Sequence, residues 1–571
     1  MTFLLKYKYY VFIVISFILY GNTIQNNYSI DDDFVTEKNI TTKGLASIYT
    51  IFTTHYAIGD DGKGFDYRPM VKFSFALEHE FFGVNPHISH FINIILYSIC
   101  LILLFKVLIL IFSSEKSEFI LLTVLIFASL PIHTEVVASL KNRDILICFI
   151  FSFFSYTILH KYQTRKKIHF LFLGITLMFL AFLSKLDALP LLLIFPIIIL
   201  SGDKLNSKKI LVTLSICLII FFGSKIFQNI MLEHNTTKRI YSLYENPLYI
   251  NKNLNDKLSA SLNCLGFYVK SLSIPTNLCS YYGYNTIPIK DFLSTFSILG
   301  IISGILIIVG LFKYYKTPKH PIFIGILFFT CSISMYLNFV RPVPGIVADR
   351  FAFFSSVGFT IIISYLIYYF ADKSIKKFNL KTTGIYLIIF ITFSTLTISR
   401  NKEWYDRSTL LKYDIKKYPT SVKLNVLYAN DLISQTNKNR TSVDQSLKNI
   451  NLAKAYLIKA YQIDSSYYNI TNSLGFISLS YLNNPQEAIS YFYKSLKNKP
   501  YDFEINLNLG LCYERLVKKD SAEKYFIKAY SIKPKSKPLE IYLKNYFINS
   551  NQSPKFKKMY PNSQEISFKG H

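Results

Sequence analysis

The sequence predicts an all-α protein: a polytopic bundle of about 11 membrane-spanning helices, followed by a soluble α-solenoid. Three observations lead to this prediction. Hydrophobic residues make up 51% of the 571 residues and charged residues only 17%, a balance typical of membrane proteins. Apolar stretches of about 20 residues, the length that crosses the hydrocarbon core, recur up to residue 400. Beyond that point they stop, and a short helical pattern repeats.

Each predicted span is an apolar run bounded by polar or charged loops. The runs cover residues 7–24, 88–112, 118–132, 144–159, 168–184, 186–201, 210–230, 291–312, 321–339, 351–371 and 382–399. They define a predicted membrane domain over residues 1–400, with long loops at 25–87 and 231–290 on one side.

The basic residues predict the orientation of these spans. Four short loops, at 160–167, 202–209, 313–320 and 372–381, are rich in lysine and arginine, as cytoplasmic loops are. The N-terminus then lies in the cytoplasm, and the two long loops and the C-terminal region lie outside, which for a bacterial inner membrane means the periplasm. This bias accounts for much of the net charge of +28, so no nucleic acid partner is expected.

The C-terminal region carries a repeat of about 34 residues. Leucine, glycine, alanine and proline recur at tetratricopeptide spacing, most clearly over residues 503–536. The predicted order is a linker at 401–420, about three repeats over 421–550 and a flexible basic tail at 551–571. Such arrays present a concave groove that suits a protein partner, and Asn506 and Tyr513 are its predicted contact residues.

Ionisable residues gather on the predicted outer face, where charges beside a membrane are functional candidates. Carboxylates can act as a general base or hold a cation, and arginine forks fit phosphate oxygens. The candidates are Asp31, Asp32, Asp33, Arg68, Glu135, Arg143 and Arg350. Because Asp31, Asp32 and Asp33 are adjacent, mutual repulsion is expected to raise at least one pKa.

Several of these stretches resemble a known family in their order along the chain. They read "IDDDFVTEKN", "YRPMVKFSFALE", "PIHTEVVASLKNRDIL", "LSKLDALPLLL" and "ADRFAFFSSVGF", and the repeats follow them. The chain resembles the transmembrane and tetratricopeptide-repeat O-mannosyltransferases and their bacterial relatives, within the GT-C class of membrane glycosyltransferases. It departs from their pattern at Leu130, Leu186 and Asp349.

The resemblance implies a sugar donor on a polyprenyl phosphate and a single inverting displacement. Ile30, Asp31, Asp32 and Asn39 match the acidic motif of the first outer loop, and Asp33 is an extra acid, so the identity of the base stays open. Glu135 would help position the carrier phosphate or a metal. A divalent cation, Mg²⁺ or Mn²⁺, on Asp32 and Glu135 is an open option, and no other cofactor is expected.

Arg68 and Arg350 would contact phosphate or sugar, and Arg143 joins them as a donor-binding candidate. The expected function is transfer of a hexose, mannose first, from the polyprenyl phosphate to a hydroxyl of an exported protein that the repeats bind. Two alternatives stay open. One is transfer onto a glycan or lipid, and the other is a non-catalytic membrane scaffold for envelope assembly.

Overall fold

A computed structural model describes residues 2–58, 64–113, 116–200, 207–232, 243–250, 253–372, 380–438, 442–533, 542–543 and 546. The predicted tail at 551–571 lies outside the described residues. The chain divides into two compact units after Leu424. The all-α prediction is confirmed, and the strands in the described residues are two short ones, β1 Ala57–Ile58 and β2 Gly64–Phe65, which pair antiparallel with Ala57 opposite Phe65.

The first unit is a bundle of apolar helices. Its α-helices are α1 Thr2–Lys6, α2 Lys8–Tyr20, α3 Ile48–Thr53, α4 Pro69–Phe82, α5 Pro86–Phe112, α6 Ser117–Ser129, α7 Thr134–Ala138, α8 Arg143–Arg165, α9 Ile168–Phe182, α10 Leu191–Leu200, α11 Ser207–Met231, α12 Leu254–Ser273, α13 Thr295–Tyr314, α14 Pro321–Ser334, α15 Phe353–Asp372, α16 Leu380–Glu403 and α17 Arg407–Lys417. Short 3₁₀ helices are Gly21–Gln25, Ile40–Thr42, Leu45–Ser47, Pro131–His133, Leu140–Asn142, Leu186–Ala188, Pro247–Tyr249 and Asp349–Ala352.

Local chemistry sets where these helices begin. At the start of α5, the Asn85 side chain accepts the backbone N–H of His87 at 3.0 Å, and Pro86 occupies the first turn, where its missing N–H costs nothing. His320 and Pro321 open α14 in the same way. At these two helices, the polar residue before the apolar run therefore fixes where the helix begins.

Eleven spans are predicted, and the described residues contain fewer helices of full spanning length. Among the described residues, six helices are long and apolar enough to cross a membrane, or seven if a pair bent by 55° between Ser117–Ser129 and Pro131–Ala138 is one span. The bend falls at Pro131, which cannot donate a helical hydrogen bond. Three further apolar helices, Ile168–Phe182, Leu186–Leu200 and Pro321–Ser334, are shorter.

The segment predicted as a linker, 401–420, is folded into the first unit. It contains the end of α16 and all of α17. Arg400 forms an ion pair at 3.0 Å with Asp414, whose side chain is buried and also accepts the backbone N–H of Ser280 at 2.8 Å. The linker prediction is therefore wrong, because these polar residues are used in buried contacts rather than in solvent.

The second unit consists of helix pairs. Its helices in the described residues are α18 Val422–Lys438, which begins at the end of the first unit, α19 Val443–Ile463, α20 Tyr468–Ser480, α21 Pro485–Asn498, α22 Phe503–Arg515 and α23 Lys519–Ile532. A Cβ added at Gly510 would lie 2.4 Å from the ring of Phe526, so a glycine is needed where α22 crosses α23. The same close approach recurs between Gly475 and Phe492, as expected for repeated units.

Candidate active site

Three parts of the first unit meet at the candidate site. We call residues 21–68 loop 1, residues 130–142 loop 2 and residues 338–350 turn 3. Loop 1 follows α2, loop 2 lies between α6 and α8, and turn 3 precedes α15. Contacts between side chains and backbone hold the three parts together.

Asp32 joins loop 1 to loop 2 and is fully buried. Its carboxylate accepts the backbone N–H groups of Ser29 at 2.9 Å and Lys141 at 2.8 Å, and the hydroxyl of Ser139 at 3.3 Å. Burial raises the pKa of Asp32 to about 6, although the two backbone donors oppose this shift, and the charge of Asp31 adds to it. The predicted pKa increase is present, but its main cause is burial rather than repulsion.

Asp31 is the accessible acid of the three. Its side chain is 43% exposed and forms an ion pair with the Lys141 ammonium at 2.6 Å. Burial acts to raise the pKa of Asp31, but the charge and hydrogen bond of Lys141, with smaller effects from Lys423 and Arg350, bring it below its ordinary value. Its backbone has φ +62°, in the left-handed region that aspartate tolerates better than most residues. Asp33 instead pairs with Lys38 at 2.5 Å.

Glu135 and Arg350 join loop 2 to turn 3. One Glu135 oxygen accepts the backbone N–H of Arg350 at 2.8 Å, and the other forms an ion pair with its guanidinium. Glu135 is buried, while the Arg350 side chain keeps 22% of its surface exposed. Because both backbone and side chain are held, the guanidinium has a fixed direction and can still contact a ligand.

Arg68 lies at the other end of loop 1. It forms ion pairs with Asp66 and with the buried Asp144, and its guanidinium lies 4.9 Å from the ring centre of Tyr56. Lys185 approaches the same Asp144 carboxylate at 3.4 Å, so this acid neutralises two cations. The Arg68 side chain is 17% exposed, less than that of Arg350.

Arg143 lies away from these exposed groups. It is fully buried, forms an ion pair with Glu78 at 2.7 Å and donates to the Asn93 side chain at 2.7 Å. A third donor nitrogen bonds the backbone oxygen of Ser89 at 3.0 Å. The guanidinium therefore connects α4, α5 and α8 and has no exposed surface for a donor phosphate, which its sequence position alone could not reveal.

The residues predicted to hold a metal do not fit one. Asp32 accepts three protein donors, and both Glu135 oxygens are taken by Arg350. In the described ranges, no three side chains of histidine, cysteine, aspartate or glutamate converge as a divalent cation would require. We therefore assign no step of the chemistry to a metal.

The two predicted groove residues of the repeats differ in access. Asn506 is buried, and its amide nitrogen donates to the backbone oxygen of Asp502 at 2.6 Å. Tyr513 is half-buried, and its ring stacks on that of Tyr525 at 5.6 Å. The hydroxyl of Tyr493 lies 2.9 Å from that of Tyr513 and 2.8 Å from that of Tyr525. Of the two predicted residues, Tyr513 alone has surface for a partner.

Two residues at this site were not predicted from the sequence, Lys141 and Tyr282. Lys141 lies inside the motif "SLKNRD", and a cation in a loop opposite an acidic run was a usable signal. Tyr282 donates to Asp349 of turn 3 at 2.6 Å, but nothing near it in the sequence "CSYYGYN" indicates this contact. Such pairs between distant segments become visible only in the folded chain.

Apolar spans, a cluster of ionisable loop residues and a C-terminal array of helix pairs define a multi-pass membrane protein with tetratricopeptide repeats. Residues 66–226 match the family described as dolichyl-phosphate-mannose-protein mannosyltransferase, and residues 503–536 match the tetratricopeptide repeat. Taken together, these matches make the chain similar to the TMTC-like transmembrane and tetratricopeptide-repeat proteins.

Three curated relatives match most of this chain. Human protein O-mannosyl-transferase TMTC3 is 22% identical over 504 residues, covering 83% of this chain and 49% of the relative. Human protein O-mannosyl-transferase TMTC1 is 23% identical, and the match covers 74% of this chain and 52% of the relative. The Caenorhabditis elegans protein O-mannosyl-transferase F38B6.6 is 24% identical, and the match covers 75% of this chain and 61% of the relative. The chain thus spans about half the length of the first two.

Proposed function

We propose that this chain is a membrane glycosyltransferase that moves a hexose, mannose first, from a polyprenyl-phosphate carrier to a hydroxyl of an exported protein. The relatives are named protein O-mannosyl-transferases, which supports the reaction class. The observation that carries the proposal is the accessible Asp31 carboxylate beside Lys141, with the Arg350 charge acting on the same carboxylate. A base and exposed cations in one place suit a hydroxyl acceptor and a phosphate leaving group.

In the proposed reaction Asp31 is the general base. Its carboxylate accepts the proton of the acceptor hydroxyl as that oxygen forms a bond to the anomeric carbon. The bond from this carbon to the phosphate oxygen breaks, and its electron pair leaves with the polyprenyl phosphate. One displacement inverts the configuration at the sugar, and the proton passes from Asp31 to water.

Arg350 and Lys141 are the proposed contacts of the leaving phosphate, because each side chain is partly exposed and each charge acts on the Asp31 carboxylate. Arg68 is a further candidate, with less exposed surface. Glu135 acts by holding Arg350, and Asp32 acts by holding loop 1 on loop 2. Arg143 we assign to packing, because its guanidinium is enclosed.

The repeats are the proposed binding site of the protein acceptor, with Tyr513 and its tyrosine neighbours as contact residues. We place the protein in a bacterial inner membrane, with its N-terminus in the cytoplasm and the repeats in the periplasm. The basic short loops support this orientation. Asp31 would then meet both the exported acceptor and a donor carried in the membrane.

The test is sugar transfer by the purified protein from a radiolabelled polyprenyl-phosphate mannose to a pool of exported proteins. Asp31→Asn keeps the shape and tolerates the left-handed backbone, so it isolates the loss of the base. We expect transfer to fall by a factor of about 100 or more. Glu37→Gln removes an exposed charge of the same loop and is the matched control, with unchanged transfer.

Other outcomes distinguish the alternatives. Release of free mannose without protein labelling supports the donor and contradicts the protein acceptor, which favours a glycan or lipid acceptor. Equal transfer by wild type and Asp31→Asn contradicts the assigned base. No use of any polyprenyl-phosphate sugar by a folded wild-type protein contradicts the enzyme and leaves the scaffold.

A further inference from the structure

Turn 3 is held at three successive residues. The backbone N–H of Ala348 donates to the Tyr268 hydroxyl at 3.4 Å, Asp349 accepts from the Tyr282 hydroxyl at 2.6 Å, and Arg350 is bound by Glu135. Asp349 is buried, and in the described part of the chain the Tyr282 hydroxyl is the one side-chain donor that reaches its carboxylate. Tyr282 is therefore one of the side chains that hold turn 3, and it does so at the residue next to Arg350.

The Tyr282 side chain is itself fixed from all sides. Its hydroxyl accepts the backbone N–H of Cys279 at 3.1 Å while it donates to Asp349, so both of its main hydrogen-bonding directions are used. Its ring makes edge contacts with Phe267, at 5.0 Å between centroids, and with Tyr418, at 5.2 Å. A buried tyrosine with this many constraints has little rotational freedom.

The loop that carries Tyr282 is tied to the segment after the last span. We call residues 404–423 the strap. The Asp414 carboxylate binds the backbone N–H of Ser280 at 2.8 Å, the Lys417 ammonium binds the Leu278 oxygen at 3.1 Å, and the Ser421 hydroxyl binds the Tyr282 oxygen at 3.0 Å. The hydroxyl of Tyr418 also reaches the Asn277 oxygen at 3.0 Å.

The strap is anchored in turn by a charge cluster at the end of α16. Arg400 pairs with Asp414 at 3.0 Å and with Glu403, and Glu403 also binds Lys417 at 2.5 Å. The contacts therefore run without a break from the end of the last span, through the strap and Tyr282, to Asp349. The next residue is Arg350, a proposed phosphate contact.

We propose that Tyr282 is a positioning residue of the active site, which the strap holds against Asp349 so that the neighbouring Arg350 guanidinium keeps its place for the donor phosphate. This inference rests on the proposed function. Tyr282 does not touch donor or acceptor. It acts through turn 3, and the segment that looked like a linker in the sequence is part of the support of the site.

The decisive variant is Tyr282→Phe, which removes one hydroxyl and keeps the ring. Tyr418→Phe is the matched control, because it removes the same group from the same interface but does not contact turn 3. We expect Tyr282→Phe to raise the KM for the polyprenyl-phosphate sugar by a factor on the order of ten, with a smaller change in kcat. Tyr418→Phe should change KM less than twofold.

A double-mutant cycle separates positioning from general stability. If Tyr282 acts through Arg350, Tyr282→Phe should add almost nothing to the loss already caused by Arg350→Ala. If the losses from Tyr282→Phe and Arg350→Ala multiply in the double variant, the inference is overturned. It is also overturned if Tyr282→Phe and Tyr418→Phe change KM equally. If Tyr282→Phe does not fold, Asp349→Ala is the second variant, because it removes the same hydrogen bond from the acceptor side. It is expected to raise KM by the same factor. An unchanged KM in Asp349→Ala would overturn the inference.

A binding measurement without turnover distinguishes the positioning role of Tyr282 from the proposed function. Polyprenyl phosphate alone should raise the unfolding temperature of wild type and Tyr418→Phe, and should do so much less for Arg350→Ala and Tyr282→Phe. A shift lost in Arg350→Ala but retained in Tyr282→Phe overturns the positioning role and leaves the proposed function standing. No shift in wild type overturns both.

Discussion

At the scale of single residues, Lys141 performs two separate tasks. Its backbone N–H binds the buried Asp32, which holds loop 1 on loop 2, and its ammonium binds the accessible Asp31. The first task depends on the main chain and survives a change of side chain. The second depends on the charge, so a substitution can remove it alone.

The pH dependence of transfer should report this charge. A general base works in its ionised form, and the pKa of Asp31 lies below its ordinary value, so the acidic limb of kcat/KM should lie below the ordinary pKa of an aspartate. Lys141→Gln removes the charge that favours the ionised form, so the limb should move to higher pH. The measurement is kcat/KM over a pH range that begins well below the ordinary pKa of an aspartate and extends to pH 8.

Lys43→Gln serves as the control, since Lys43 is an exposed lysine of the same loop. Its profile should match that of wild type. An acidic limb that stays in place in Lys141→Gln would mean that a group other than Asp31 controls the reaction at low pH.

Part of the candidate site could be predicted from the sequence, but its arrangement could not. The acids after the first span, Glu135 and Arg350 were all singled out, because charges next to apolar spans stand out in a sequence. Their separate tasks could not be predicted, since Asp31 and Lys141 meet across 110 positions of chain. Arg143 was predicted as a donor-binding residue for the same reason. Its burial against Glu78 and Asn93 depends on how three helices pack, which the sequence alone does not show.

At the scale of elements, the Arg143–Glu78 pair fixes α4 against α5 and α8. Both side chains are buried, and the guanidinium also lies 3.9 Å from the ring centre of Phe75. Taking charges out of water is costly, so such a pair adds little net stability, but removal of one partner leaves an uncompensated charge. The pair therefore favours one packing arrangement of these helices but adds little to the free energy of unfolding.

This leads to a prediction about stability. Glu78→Leu should destabilise the first unit by about 3–5 kcal/mol, because it leaves Arg143 buried without its partner. The double variant Glu78→Leu/Arg143→Met should regain most of that loss, since it replaces both charges with apolar groups. Thermal unfolding in detergent measures both.

The comparison for this experiment is Asp33→Asn, which breaks the Lys38 ion pair at the surface of loop 1. It should cost less than about 1 kcal/mol. A double variant as unstable as Glu78→Leu would show that the charges themselves, rather than their pairing, are needed.

Helix positions were predictable because long apolar runs and the repeat spacing are local properties of the sequence. The count of full-length spans was not, because Pro131 and the short helices Ile168–Phe182 and Pro321–Ser334 interrupt or shorten runs that look continuous in composition. The segment 401–420 was misjudged because its charges look like those of a solvated linker. Some of their partners, such as Ser280 for Asp414, lie more than 130 positions away.

At the scale of the whole molecule, function depends on which side of the membrane the site faces. The cysteines offer a clean way to test this, because Cys100, Cys148, Cys264, Cys279 and Cys512 are buried and Cys217 and Cys331 are half-buried. Native labelling by a membrane-impermeant thiol reagent should therefore be low. Single cysteines introduced at exposed positions then report the side.

We expect Ile40→Cys in loop 1 and Tyr501→Cys in the repeats, both strongly exposed positions, to react from outside intact cells. Lys167→Cys, in a basic loop between α8 and α9, should react only after the membrane is opened. The opposite pattern would place Asp31 in the cytoplasm and contradict transfer to exported proteins. Wild type supplies the background in both conditions.

Trp404, the first residue of the strap, is the only tryptophan in the chain. It is almost fully buried and shares an apolar cluster with Ala138 of loop 2 and Leu410, against which Ile30 packs, one residue before Asp31. The ultraviolet emission of this protein when excited at tryptophan wavelengths therefore comes from one place, next to the acidic run. The molecule contains its own optical probe, so changes there can be followed in time without attaching a dye.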